Sequence, residues 1–86
     1  MQRIEKERQA RHEVGEIIRR FVEHRSTYAY EWDDFLHSRF RFRQLEAIRK
    51  LCLLLDETHP PTAPKEYCDE EGIRILQTLA ERLLQS

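Results

Sequence analysis

Apolar residues recur every three or four positions over long stretches of the chain, which is the spacing of amphipathic helices. The first stretch runs from Gln2 to about His24. Its apolar stripe comprises Val14, Ile17, Ile18, Phe21 and Val22. Residues 1–13 are mostly charged or polar, so we expect either a solvated extension of this helix or a frayed end. Gly15 interrupts the stripe at a cost of about 1 kcal/mol in helix propensity, which suggests close packing against another helix.

Residues 28–36 hold the densest chemistry of the chain: the only Trp, two of the three Tyr and three carboxylates. We predict a short second helix over about Tyr30 to Ser38. Its inward positions are Trp32, Phe35 and Leu36, and its first turn carries the acids Glu31, Asp33 and Asp34. Because so much aromatic surface is costly to leave in water, this segment must either nucleate a core or meet a partner.

The third predicted helix runs from about Gln44 to Thr58. Its predicted buried stripe comprises Leu45, Ile48, Leu51, Cys52 and Leu55. Leu53 and Leu54 widen that stripe until the helix is apolar nearly all round, so we expect it to be central. The prolines that follow Thr58 cannot continue a helix.

The last predicted helix begins near Asp69, a residue type that caps helix N-termini. Its inward positions are Ile73, Leu76, Leu79, Ala80, Leu83 and Leu84. The sequence therefore predicts an all-α fold: one compact four-helix domain over residues 14–86 with a short second helix.

The length and charge of the chain favour a single domain without a membrane span. Eighty-six residues suit a single core. No apolar run approaches the roughly 18 residues of a membrane span, and the N-terminus is charged, so we expect a cytoplasmic chain with no membrane partner and with reduced thiols at Cys52 and Cys68. Residues 1–50 carry 12 Lys and Arg against 9 Asp and Glu, whereas residues 51–86 carry 3 against 7, so the halves have charges of +3 and −4.

Spacing argues against a metal or catalytic centre. The four histidines are scattered, and the two cysteines lie sixteen positions apart, so no pair of ligands shares one helix face. Asp33 and Asp34 point about 100° apart on a helix and do not converge on one atom. We therefore expect no enzyme activity, no catalytic residues, no metal and no cofactor.

A basic and aromatic segment leaves one alternative open. Phe40 and Phe42 alternate with arginines in a connector that has no second strand to pair with. Together with the start of the third helix, it offers a strip that could bind nucleic acid: Arg39, Arg41, Arg43, Arg49 and Lys50. The isoelectric point near 6.4 is low for such a domain, and a solvated strip with inward phenylalanines is the simpler interpretation.

Two resemblances bear on function. The hexapeptide from Tyr30 to Phe35, followed by Leu45 to Arg49, Pro60-Pro61 and Tyr67-Cys68-x-x-x-Gly72, resembles a family of small uncharacterised bacterial proteins with a Tyr-Glu-Trp-Asp-Asp-Phe motif, which carries no activity to transfer. More faintly, Glu57 to Pro60, Tyr67 and Glu71 to Ile73 resemble the bacteriocin DNase immunity proteins, small helical proteins that bind and block a toxin. That resemblance implies a small interaction protein with Tyr67 at its recognition surface.

The sequence analysis thus favours a helical protein-binding module that masks a partner protein, in an immunity-like or regulatory role. The residues expected to bind the partner are Tyr28, Tyr30, Asp33, Asp34 and Tyr67. The alternative is a nucleic-acid-associated protein that uses the basic strip. Residues 51–55 place apolar side chains on nearly all sides of the third helix, which is more than a domain of this size needs for its core. The oligomeric state therefore stays open between a monomer and a weak homo-oligomer.

Overall fold

Five helices make up most of the described residues, which are 2–24, 29–64 and 66–85 of a computed structural model. They are α1 (Gln2–His24), α2 (Ala29–Leu36), α3 (Arg43–Leu53), α4 (Leu55–Thr58) and α5 (Glu70–Gln85). The described ranges contain no strand. The predicted all-α fold is confirmed, with one more helix than expected because the third predicted helix is divided in two.

The first and last helices, α1 and α5, make the most extensive helix contact in the molecule. Their buried residues are Val14, Ile18 and Phe21 from α1 and Ile73, Leu76, Ala80 and Leu83 from α5. A Cβ atom on Gly15 would lie 3.0 Å from Leu84 Cγ and 3.1 Å from Leu83 Cβ. The missing side chain lets the helices approach closely, as the position of Gly15 in the apolar stripe predicted.

Residues 2–13 belong to α1 without a break. Ala10 packs partly against the core, and Arg11 Nη2 donates a hydrogen bond to Gln44 Oε1 at 2.8 Å, which links this half of α1 to α3. Of the helices the structure describes, α1 included, none combines the length and apolar character that crossing a bilayer requires.

The N-terminus of α5 is capped as the sequence predicted. Gly72 N donates to Asp69 Oδ1 at 2.8 Å, and Ile73 N donates to the Asp69 carbonyl at 3.1 Å. Asp69 N in turn donates to the His59 carbonyl at 3.0 Å, which ties the end of α4 to the start of α5. A Cβ on Gly72 would lie only 2.7 Å from Cys68 Sγ, so the cap is built around a glycine.

The expectation of a central third helix is wrong. The helix starts at Arg43 and breaks at Leu54, and α4 then runs for one turn until the prolines end it. Leu51, Leu53 and Leu54 are 43%, 37% and 48% exposed. The reason is that α1 and α5 already form the main helix pair, so α3 packs through one side only, the side that carries Leu45 and Cys52.

The predicted core face of α2 is confirmed. Trp32, Phe35 and Leu36 are all buried, so the aromatic side chains on this side of the helix form part of the core. The helix ends at Leu36, two residues before the predicted end, because Ser38 turns back on it. Ser38 Oγ donates to the Asp34 carbonyl at 2.6 Å, and Ser38 N donates to the Phe35 carbonyl at 3.2 Å.

Candidate protein-binding surface

The outer side of α2, together with the residue that follows the helix, carries four exposed residues at the positions i, i+3, i+4 and i+7. They are Tyr30, Asp33, Asp34 and His37, which we call the α2 face. Tyr30 is 90% exposed, the most exposed large hydrophobic residue among those the structure describes. Since Trp32, Phe35 and Leu36 occupy the opposite side, the same short helix presents one side to the core and the other to solvent.

The acidic groups of the α2 face point into solvent. The Asp33 side chain is 73% exposed, and one of its carboxylate oxygens lies 3.6 Å from His37 Nδ1. His37 Nδ1 also lies 2.9 Å from the Asp33 carbonyl, so His37 is held over the last turn of α2. Within the described part of the chain, the Asp34 carboxylate makes no hydrogen bond or ion pair. It is therefore ready to accept bonds from another molecule.

The α2 face stands on a rigid aromatic base. The Trp32 ring stacks on Phe21 with centroids 4.1 Å apart and planes 10° from parallel, and it lies 5.4 Å from Phe35. Arg20 donates two hydrogen bonds to the carboxylate of Glu31, at 2.9 and 2.8 Å, and so joins α1 to α2. Because bidentate pairs fix geometry in two directions, α2 presents its outer residues in a defined orientation.

Tyr67 is not part of that face. Its ring packs edge-on against Trp32 and Phe21, with centroids 5.7 Å from each, and its hydroxyl donates to the Cys52 carbonyl at 2.7 Å. Burial raises the pKa of Tyr67 above its ordinary value. Tyr67 is partly buried, and its ring and hydroxyl both contact the core, so its role in recognition stays a prediction. Tyr28, the fifth predicted binding residue, lies outside the described residues.

The basic strip is divided by the fold. Arg39, Arg41, Arg43 and Lys50 are exposed, but Phe40 and Phe42 pack partly against the core, as the inward interpretation predicted. Arg49 is only 9% exposed, and its Nη1 donates to the Leu36 carbonyl at 2.7 Å. Arg49 is therefore removed from the strip, because it serves to join the end of α2 to α3.

Glu46 completes this junction. It accepts from Arg49 Nε at 2.8 Å and from Phe40 N at 3.1 Å, and so fixes both the connector and the arginine. The side-chain hydrogen bond from Arg49, followed by that from the Phe40 backbone, lowers the pKa of Glu46 to about 2 from its ordinary value of 4.5. The ionised form of Glu46 is thus favoured in the folded state.

This lowered pKa predicts a loss of stability in acid. The stabilisation by ionised Glu46 is complete above about pH 4.5 and is lost as the pH falls towards 2, because the unfolded chain takes up the proton first. In denaturant titrations at several pH values, Glu46→Gln should be less stable than wild type at pH 7 and should lose less stability between pH 5 and pH 2. Glu81→Gln, an exposed change on α5, should keep the wild-type slope; equal slopes for Glu46→Gln and wild type would contradict the assignment.

Two features, one on the α2 face and one that supports it, escaped the sequence analysis. His37 was treated only as one of four scattered histidines, although its spacing from Tyr30 and Asp33 places it on the same side of the helix. The ion pair between Arg20 and Glu31 joins residues eleven positions apart on different helices, and no local pattern marks it. An open groove of about 500 Å³ lies beside this pair, between α1 and the start of α2.

The remaining chemical groups add no reactive centre to the α2 face. Cys52 and Cys68 are both buried and are not joined in a disulfide. No group of three or more His, Cys, Asp or Glu side chains is placed to hold a metal ion within residues 2–24, 29–64 and 66–85. No protein-family model, curated protein or solved structure matches this chain.

Proposed function

We propose that this chain is a non-enzymatic helical module that binds a protein partner through the α2 face and masks part of its surface. The observation that carries the proposal is Tyr30, a large aromatic side chain left 90% exposed on a helix whose other side is locked into the core. Tyrosine is among the residue types that contribute most to binding energy at protein interfaces.

The charges and the aromatic ring of the α2 face predict the chemistry of the partner surface that it binds. Asp33 and Asp34 flank Tyr30 with two solvent-facing carboxylates, so the matching surface carries Lys or Arg around a pocket for a phenol ring. Because α2 is held by the Trp32 stack and by the Arg20 pair, little ordering is needed on binding. A module that covers a basic surface of its partner in this way fits an immunity-like or regulatory role. Tyr30 would then be the recognition tyrosine.

Two observations favour binding over catalysis. The side chains of Asp33 and Asp34 leave the helix in directions about 100° apart, which does not suit a pair of carboxylates acting on one substrate atom. The thiol of Cys52 is buried, and desolvation, with a smaller contribution from Cys68, raises its pKa to about 12, far from the range of a nucleophile.

Nucleic-acid binding is the alternative, and the structure offers it less support. Single-stranded binders combine exposed cations with exposed aromatic rings on which bases stack. Here the cations of the strip are exposed, but Phe40 and Phe42 lie partly under the surface. A salt titration of binding to random-sequence DNA tests the alternative, since phosphate contacts must weaken steeply with salt.

Substitutions in the α2 face should weaken capture of the partner without unfolding the protein. We expect Tyr30→Ala, and the double change Asp33→Ala with Asp34→Ala, to reduce capture from the native lysate at least tenfold, which corresponds to about 1.4 kcal/mol. Thermal stability should stay within about 1 kcal/mol of wild type, because these side chains are exposed. Quantitative mass spectrometry of proteins cross-linked to the chain measures the first result, and calorimetry measures the second.

The matched control is Glu70→Ala with Glu71→Ala, an adjacent exposed acidic pair on α5 that removes the same charge away from α2. It should retain capture, and so should the triple change of Arg39, Arg41 and Arg43 to Ala. If the arginine triple loses binding while the α2 variants retain it, the masking proposal is wrong and the basic strip is the functional surface.

A further inference from the structure

A second exposed stripe runs along α3 and α4, on the side away from the core. Its members follow each other at alternating intervals of three and four positions, and all are exposed: Gln44, Ala47, Leu51, Leu54 and Thr58. We call these five residues the α3–α4 stripe. Alternating three and four is the spacing by which two helices pair along a seam. Leucines 51 and 54 at its centre are 43% and 48% exposed.

The break at Leu54 does not divert this stripe. Leu54 N donates to the Lys50 carbonyl at 3.1 Å, and Thr58 N donates to the Leu54 carbonyl at 3.0 Å. Both bonds span four residues, the interval of an α-helix. The seam therefore continues from α3 into α4.

The charges beside the stripe favour pairing with a second copy of this chain. Arg43, Lys50 and Glu57 lie at intervals of seven along one flank, and all three are exposed. In a parallel pair of such helices, the flanks that carry these charges would lie on opposite sides of the seam and would not meet. In an antiparallel pair that places Leu51 of one copy against Leu54 of the other, Lys50 of one copy faces Glu57 of the other, and twofold symmetry makes this contact twice.

We propose that the α3–α4 stripe is the contact surface of an antiparallel homodimer of this chain. Leu51 and Leu54 of each copy form its apolar centre, and the pairs between Lys50 and Glu57 set the direction. The α2 face takes no part in this contact, so the proposal stands apart from partner masking. One helix side is small beside the roughly 800 Å² per partner of a standard interface, so we expect a dissociation constant of about 10–100 µM.

Sedimentation equilibrium over a concentration series that brackets this value tests the proposal. Wild type should pass from monomer to dimer, and Leu54→Glu should raise the dissociation constant at least tenfold. Leu53→Glu is the matched control, since it adds the same charge in place of an exposed leucine outside the stripe. It should dimerise within twofold of wild type, and circular dichroism should show equal helix content in all three proteins.

A charge exchange tests the direction. Lys50→Glu should weaken the dimer several-fold by placing like charges together, and adding Glu57→Lys should restore it. In a parallel dimer these two residues would not meet, so the single change would alter the affinity little. A wild-type protein that stays monomeric throughout the series would overturn the proposal, and so would Lys50→Glu with unchanged affinity.

Discussion

Trp32→Ala should lower the free energy of unfolding by about 3–5 kcal/mol. The Trp32 side chain is 4% exposed and contacts three rings: Phe35 of its own helix, Phe21 of α1 and Tyr67 from the segment before α5. Removing a buried Trp costs about 3–5 kcal/mol, a large share of the about 5–15 kcal/mol that stabilises a small domain. Urea titration followed by far-ultraviolet circular dichroism measures the change.

Two further measurements sharpen this test. Trp32→Phe keeps a ring against Phe21 and removes an indole N–H that has no hydrogen-bond partner within the described ranges, so it should cost less than half as much. In wild type, the fluorescence of this single Trp should be blue-shifted and should move to the solvent value on unfolding. A solvent-like native spectrum together with a harmless Trp32→Ala would place Trp32 at a surface and contradict the core described above.

Native protein should resist alkylation at both cysteines. Cys52 is fully buried and Cys68 is 1% exposed. The rise in the pKa of Cys52 from 9.0 to about 12 lowers its thiolate fraction at neutral pH about a thousandfold. Mass spectrometry after iodoacetamide treatment should show no adduct on the native protein and two adducts in denaturant.

The order of reaction under partial denaturation is also expected. Cys68 should react first, because it lies in the irregular segment before α5, which can open locally, whereas Cys52 lies within α3. Rapid labelling of either thiol in the native state would show that the burial is wrong. A mass that indicates one intramolecular disulfide would contradict the reduced state.

The sequence predicted the elements of the fold better than their roles. The stripe of α1, the inward side of α2 and the Asp69 cap all depend on local periodicity and residue type, so they could be predicted. The exposure of Leu51 and Leu54 could not, because an apolar helix side looks the same whether or not another helix covers it. What decided it was the close pairing of α1 with α5, a contact between distant parts of the chain.

The predicted binding residues also fall into those that the sequence could place and those that it could not. Tyr30, Asp33 and Asp34 are exposed because helical periodicity turns them away from Trp32, so the sequence could place them on one side. Tyr67 and Arg49 were expected at surfaces, and each is instead drawn inward by a backbone carbonyl, that of Cys52 or that of Leu36. Residue type does not reveal such bonds, because the acceptor lies more than ten positions away in the sequence.

The close contact at Gly15 has a consequence for synthesis of the chain. Its neighbours Leu83 and Leu84 lie in α5, so α1 meets its main packing partner only after α5 has been synthesised. Contacts of such long sequence separation slow folding, since a long loop must close before they form. The apolar stripe of α1 is therefore open to chaperones during translation, and the domain is completed only once α5 has left the ribosome.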